Sequence, residues 1–205
     1  MNIQPIVEGD GEVVALPVLL RRLIAVANAY SVGISRPIRR SRTQLAREDG
    51  VREAVRLARL EPDCAAILIV FDGDDDCPKD LAPRVQAWSR SEATPLPCYV
   101  VMANREYEAW FLATIESLRG TRGIRHDAVS HPDPESRRGA AKELERRMTP
   151  NRSYSKTADQ PALTAAFDMA EAHRRCRSFR RMVRAFGLLA TDLGVPLQQW
   201  PPADW

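Results

Sequence analysis

Four aspartates stand within five positions where an apolar run ends. In AAILIVFDGDDDCP, residues 65–78, Asp72, Asp74, Asp75 and Asp76 surround Gly73. Like charges crowded together repel one another and are costly unless a cation offsets them. Carboxylate oxygens suit a hard divalent ion such as Mg²⁺ or Mn²⁺. The same residues also suit an acidic, solvated turn that caps the following helix. A second set of acids lies near the amino terminus in Glu8-Gly9-Asp10-Gly11-Glu12. Its two glycines permit a tight turn and a close backbone approach. Glu8 and Glu12 either face the same site as the aspartates or form a helix-capping pair.

The elements that must position these acids follow from hydrophobic spacing. A strand over Ile3–Val7 ends at Glu8. A helix then carries Leu16, Leu19, Leu20, Leu23 and Ala27 on one face, with Pro17 expected in or near its first turn, where a missing N–H does no harm. Val32–Ile38 reads as a second strand. A basic connection through Arg39, Arg40, Arg42 and Arg47 leads to a helix over Glu48–Leu60. Ala65–Phe71 is apolar throughout, as in a strand buried on both faces. A helix over Lys79–Ser89 and a strand over Cys98–Ala103 complete the series. Strands alternating with helices predict an α/β fold with a mainly parallel, doubly wound, Rossmann-like sheet flanked by helices. Ligand sites of such sheets lie outside the carboxyl ends of the strands, where both acid sets fall. Glu106 and Glu108 also follow a strand, but residues two apart cannot share a helix face, so at most one reaches the site.

Beyond Leu118 the composition changes. Residues 119–138 are rich in Gly, Pro, Arg and His and read as a loop, with His126 and His131 on its surface. A short helix over Arg138–Arg147 precedes a helical carboxyl-terminal segment over Pro161–Leu189. There Arg174, Arg177, Arg180, Arg181 and Arg184 cover about a third of the helical circle, opposite Phe179, Val183 and Phe186. Such a face is either solvated or a phosphate contact. The expected division is an α/β core over 1–118 and a helical part over 119–205 packed on it.

The 205 residues are 44% hydrophobic and 28% charged with a net charge of +3, ordinary for a globular protein with a real core. Arginine far outnumbers lysine, and acids and arginines are segregated, a pattern that suits an anionic partner. Cys64, Cys77, Cys98 and Cys176 show no metal-ligand spacing and read as reduced thiols. With no apolar run of membrane-spanning length and acids near the amino terminus, a cytoplasmic location and no membrane partner are expected.

A strand ending in Glu8-Gly9, a helix, and a later strand ending in Asp72-Gly73-Asp74 resemble the Toprim fold of topoisomerases, primases and the overcoming-lysogenization-defect nucleases. Glu8-Gly9 with Glu12, Phe71–Pro78, Arg105–Leu112 and Asp159–Thr164 together resemble the bacterial family domain of unknown function 4276, a Toprim-related family. The resemblance implies metal-dependent phosphodiester chemistry, in particular a nuclease acting on DNA or RNA. Glu8 would be the general acid/base or metal-orienting group, and Asp72 and Asp74 the Mg²⁺ (or Mn²⁺) ligands. Glu12 would support a second ion, Asp76 would assist or replace Asp74, and Glu106 would be an additional acid. Lys156 would offset charge on the phosphate, while Arg174, Arg177, Arg181 and Arg184 would hold nucleic acid. The wider nuclease group also implies an ATPase partner and a role in phage defence. The sequence has no GxxxxGK[ST] segment, so any nucleotide-driven step must come from that partner. A non-catalytic binding subunit and a phosphotransferase acting on a small nucleotide are the alternatives. No strand follows Ala103, where a Toprim sheet usually continues.

Overall fold

The apolar run that ends at Asp72 forms the middle of a parallel sheet. The computed structural model describes residues 1–136 and 138–205. Its strands are β1 (Asn2–Val7), β2 (Gly33–Ile34), β3 (Ile38–Arg39), β4 (Cys64–Asp72) and β5 (Cys98–Ala103). They lie in the order β2-β1-β4-β5, with β3 also on β1, and every pairing is parallel. The expected strand Val32–Ile38 is therefore two short pieces on one edge. Pro37 has no N–H to give the ladder, and Gln4 Nε2 bonds to the Arg36 carbonyl instead, at 2.8 Å.

The helices are α1 (Asp10–Ala27), α2 (Arg42–Leu45), α3 (Glu48–Leu60), α4 (Pro78–Ala93), α5 (Ala109–Ala113), α6 (Ala140–Glu145), α7 (Lys156–Ala166), α8 (Met169–Arg175) and α9 (Arg177–Asp192), of which α1, α2, α3, α4 and α9 flank the sheet. Alternation along β4 sends Ile67, Ile69 and Phe71 into a core with Val51 and Val55 of α3 and Val85 of α4. Ala66, Leu68 and Val70 point the other way, into a core with Leu16, Leu19 and Leu23 of α1. Both faces are covered, which is why the run carries no polar residue. Pro17 lies inside α1 rather than in its first turn. It costs one intrahelical bond, at a place where Leu16, Leu19 and Leu20 are wholly buried.

The core does not stop at residue 118. Trp110 meets Phe179 at 5.2 Å and Phe111 meets Phe167 at 5.7 Å between ring centroids. Edge-on contacts of this kind add to the apolar burial. The Trp110 Nε1–H also donates to Ser178 Oγ at 2.8 Å.

The expected continuous helix Pro161–Leu189 is three helices. The chain is extended at Phe167 and at Cys176, whose side chains are buried. Arg174 is thereby separated from Arg177, Arg181 and Arg184, and the expected single arginine face is broken between α8 and α9. His131, expected on a loop surface, is 8% exposed; its Nδ1 accepts from the Asp133 N–H at 3.1 Å. Among the described residues no helix is long and apolar enough to cross a membrane.

Helix α7 lies along α1, and Gly11 sets how closely. A Cβ on Gly11 would stand 2.1 Å from Gln160 Oε1 and 2.9 Å from the Lys156 carbonyl oxygen. Backbone cannot yield as a side-chain tip can, so the two helices would have to part. Gly11→Ala is expected to cost about 1–3 kcal/mol through overpacking, read as a lowered midpoint in urea unfolding.

Candidate active site

Strands β1 and β4 are neighbours whose connections leave in opposite directions across the sheet, and ligand sites of open α/β sheets lie beyond the carboxyl ends of the strands at such a switch point. Glu8 and Asp72 stand there. The Asp72 N–H donates to Glu8 Oε2 at 3.3 Å, and Asp72 Oδ1 accepts from the Tyr107 N–H at 2.8 Å. Glu12 is 4% exposed in the first turn of α1, and its Oε1 accepts from Gln160 Nε2 at 3.0 Å. The N-cap residues of α1 and α4, Gly9 and Cys77, make no side-chain cap bond, and Glu8 and Glu12 accept from the Asp72 N–H and Gln160 instead.

Helix α7 brings in the cation. Lys156, one of three lysines in the chain, places Nζ 3.5 Å from Asp72 Oδ2 and 3.7 Å from Glu108 Oε1. Ser155 starts the helix by accepting from the Ala158 N–H. Buried Asp159 accepts from the Ser155 N–H at 2.9 Å and is held by Arg122 and Arg152. Asp159 therefore anchors the turn that presents Lys156.

Glu108, not Glu106, is the acid from the segment after β5 that enters the cluster. Glu108 is wholly buried. Its Oε1 accepts from the Tyr154 hydroxyl at 3.0 Å, and its Oε2 is buried without a hydrogen-bond partner among the described residues. Glu106 turns instead to the start of α6, accepting from the N–H of Gly139 at 2.6 Å and of Ala141 at 3.1 Å. The two-residue spacing explains the divergence.

The remaining aspartates are held at the rim. Backbone bonds from the Gly73 N–H to the Ala103 carbonyl (3.0 Å) and from the Asp74 N–H to the Arg105 carbonyl (2.9 Å) zip the ends of β4 and β5 together. A Cβ on Gly73 would lie 2.7 Å from the Ala103 oxygen, so this approach requires glycine. Asp74 takes a left-handed φ of 45°. It faces Glu8 closely enough to help raise the Glu8 pKa and lies 3.8 Å from Arg42 Nε. Asp76 pairs with Arg42 Nη2, and Asp75 with Arg105 and Arg138. Asp75 and Asp76 line a neighbouring cavity of about 340 Å³ with Cys77, Asn104, Arg105 and Glu135. Arg42, whose guanidinium lies 5.1 Å over the Phe71 ring, was legible in the sequence only as part of a basic connection.

Electrostatics distinguish the inner acids from the outer ones. Burial pushes Asp72 well above the ordinary aspartate range, Glu108 adds to the shift, and Lys156 opposes it. Burial likewise raises Glu108 and Glu8, with Lys156 working against the first and the Asp72 N–H against the second. Burial disfavours the Lys156 ammonium, yet Glu108, Asp72, Glu12 and Glu106 together hold its pKa above the lysine value.

Among the described residues no three His, Cys, Asp or Glu side chains are already gathered as a ligand set; the acids take Lys156 and Arg42 as counter-charges. Even so, Glu8, Glu12, Asp72 and Glu108 outnumber the single ammonium among them. Together with the unpartnered Glu108 Oε2, this oxygen-rich, charge-deficient corner fits a hard divalent cation.

Of the arginines, Arg174 is spent on Glu171 and the Asp204 carbonyl. Arg177, Arg181 and Arg184 are exposed and have no side-chain hydrogen bond or ion pair among the described residues. Exposed cations left unpaired remain available to phosphate.

Because Glu8, Asp72 and Glu108 have raised pKa values, folding favours their protonated forms, and that contribution is lost as pH rises through those values. Glu8→Gln keeps an acceptor for the Asp72 N–H and removes one charge. Its Tm is expected to match that of the unaltered protein at about pH 4 and to exceed it by about 2–4 °C at about pH 8, measured by circular dichroism without added metal.

One family model, described as Domain of unknown function (DUF4276), matches residues 7–186. No curated protein and no solved structure matches the chain.

Proposed function

The chain belongs to the DUF4276 family, and from that membership and the acid cluster we propose that it performs metal-dependent phosphodiester chemistry, as a Toprim-type nuclease acting on DNA or RNA. The observation that carries the reading is the meeting of Glu8 and Asp72 at the carboxyl ends of adjacent parallel strands, with Lys156 between Asp72 and Glu108. Glu8, Glu12, Asp72 and Asp74, joined by Glu108, would hold Mg²⁺ or Mn²⁺. Bound there, the ion would supply an activated water and charge stabilisation for the leaving oxygen.

The chain's own residues do the rest. Glu8, whose carboxyl pKa burial raises, would serve as the general acid/base. Lys156 is positioned to meet negative charge developing on a phosphoryl oxygen. Gln160 orients Glu12, and the Tyr107 N–H orients Asp72. Arg177, Arg181 and Arg184 would hold the phosphate backbone. Asp76 belongs to the rim, where it steadies Arg42. The resemblance extends the proposal to an ATPase partner in phage defence, and a cytoplasmic setting is proposed from the sequence.

Plasmid, linear DNA and RNA incubated with the protein and Mg²⁺ or Mn²⁺ test the reading. Cleavage is expected to fall at least about 100-fold in Glu8→Ala, Asp72→Ala and Lys156→Met. Calorimetry in which divalent-ion binding is the same in Asp72→Ala as in the unaltered protein would sink the metal site. Salt-dependent retention of nucleic acid without cleavage would replace the nuclease with a binding subunit.

A further inference from the structure

A second cavity, whose lining includes none of the acid cluster, opens between α9 and the carboxyl-terminal tail. Its volume is about 600 Å³, and its walls include His173, Arg180, Arg184, Leu188, Leu197 and Trp200, with no acid among its lining residues. Gly187 admits the indole: a Cβ there would lie 2.2 Å from Trp200 Cδ1. Trp200 is pinned by its Nε1–H, which donates to the Val183 carbonyl at 2.8 Å, and by the Phe186 ring at 5.3 Å.

The cationic wall is also prepared. Arg180 Nη1 donates to the carbonyls of His173 (2.9 Å) and Arg174 (2.8 Å), which fixes the guanidinium. Its other nitrogens have no partner among the described residues. Arg184 is exposed and has no ion pair or side-chain hydrogen bond among the described residues. Burial, with Arg180 and Arg174 nearby, lowers the pKa of His173, so the charge of this wall comes from the two arginines.

We propose that this cavity binds a nucleoside monophosphate, with the base against Trp200, Leu188 and Leu197 and the phosphate on Arg184 and Arg180. Two guanidiniums alone would suit any anion, and an apolar wall alone any apolar group. An indole beside two guanidiniums, with no carboxylate to repel a phosphate, suits a flat aromatic ring carrying an anionic tail. The volume is that of an ordinary small-ligand pocket. The nucleotide is either free or the end of a nucleic-acid strand, and the chemistry recognised is the same. The inference does not depend on metal or on cleavage.

Calorimetric titration in the presence of a chelator tests it, with adenosine 5′-monophosphate, adenosine and inorganic phosphate as probes. The monophosphate is expected to bind at least about tenfold more tightly than either fragment. Arg184→Ala should weaken it about tenfold while leaving adenosine unchanged. Leu188→Asp, which removes an apolar contact of the base and adds a carboxylate to the lining, should weaken both, the monophosphate more than adenosine. Asp72→Asn should bind it as the unaltered protein does. A 5′-phosphorylated hexadeoxyadenylate that binds more tightly than the mononucleotide assigns the pocket to strand ends, and equal or weaker binding assigns it to free nucleotide. Equal affinity for phosphate and the monophosphate, no binding under chelation, an unaffected Arg184→Ala, or loss in Asp72→Asn would each overturn the proposal. A nuclease assay that fails leaves this result standing, because no titration here contains metal.

Discussion

Carboxylates confined to a poorly solvated corner repel one another, and a large part of this protein serves to keep them there. Removing an ionised group from water costs several kcal/mol even after the surroundings relax. For Asp72 and Glu108 a shared ammonium and single well-placed donors, the Tyr107 N–H and the Tyr154 hydroxyl, offset only part of that cost, and burial still raises both pKa values. The ammonium arrives on a helix that belongs to the carboxyl-terminal half, so the site is complete only when that half is packed on the sheet. Gly11, Gln160 and the Asp159 anchor are the parts of the contact that fix where Lys156 lands.

The site has two concentric layers with different chemistry. Inside, burial raises the pKa values of Glu8, Asp72 and Glu108, and Lys156 pairs with the last two. Outside, Asp74, Asp75 and Asp76 are more than half exposed and paired with Arg42, Arg105 and Arg138. Exposed pairs of this kind add little stability. Their effect is positional: with the backbone bonds between the ends of β4 and β5, they hold an acidic turn in place that would otherwise spread by its own repulsion. Carboxyls whose pKa values burial raises, gathered at strand ends, are the pattern on which the proposed site rests.

The carboxyl-terminal helices have a second role beside delivering Lys156. Aromatic contacts from Phe167 and Phe179 to Phe111 and Trp110 make them part of the main core. The tail folds back so that Trp200 sits in the notch at Gly187. Arginines are divided accordingly: Arg122 and Arg152 are structural ligands of Asp159, whereas Arg177, Arg181 and Arg184 of α9 have no side-chain partner among the described residues.

The sequence by itself determined the layered α/β architecture, since strand-length apolar runs and helical 3/4 spacing are local signals that a parallel sheet must obey. Helix Glu48–Leu60 and strand Cys98–Ala103 stand at the residues their patterns predict. It also determined that Glu8 and Asp72 would stand at strand ends, because side-chain position along a strand follows from the pattern that defines it. What it could not decide was direction in space. Whether Glu106 or Glu108 turns inward depends on where α6 and Tyr154 lie, and both lie far along the chain. Arg42 looked like one basic residue among several until α2 laid it on Phe71. The arginine stripe looked continuous because helical periodicity takes no account of the breaks that core packing imposes at Phe167 and Cys176. The four aspartates at the end of β4 offered a metal site or a charged turn on equal terms. Tertiary structure separated them, burying Asp72 beside Glu8, Glu12, Glu108 and Lys156 and leaving the rest to arginines at the rim, because only contacts between distant segments can decide which charge is kept from water.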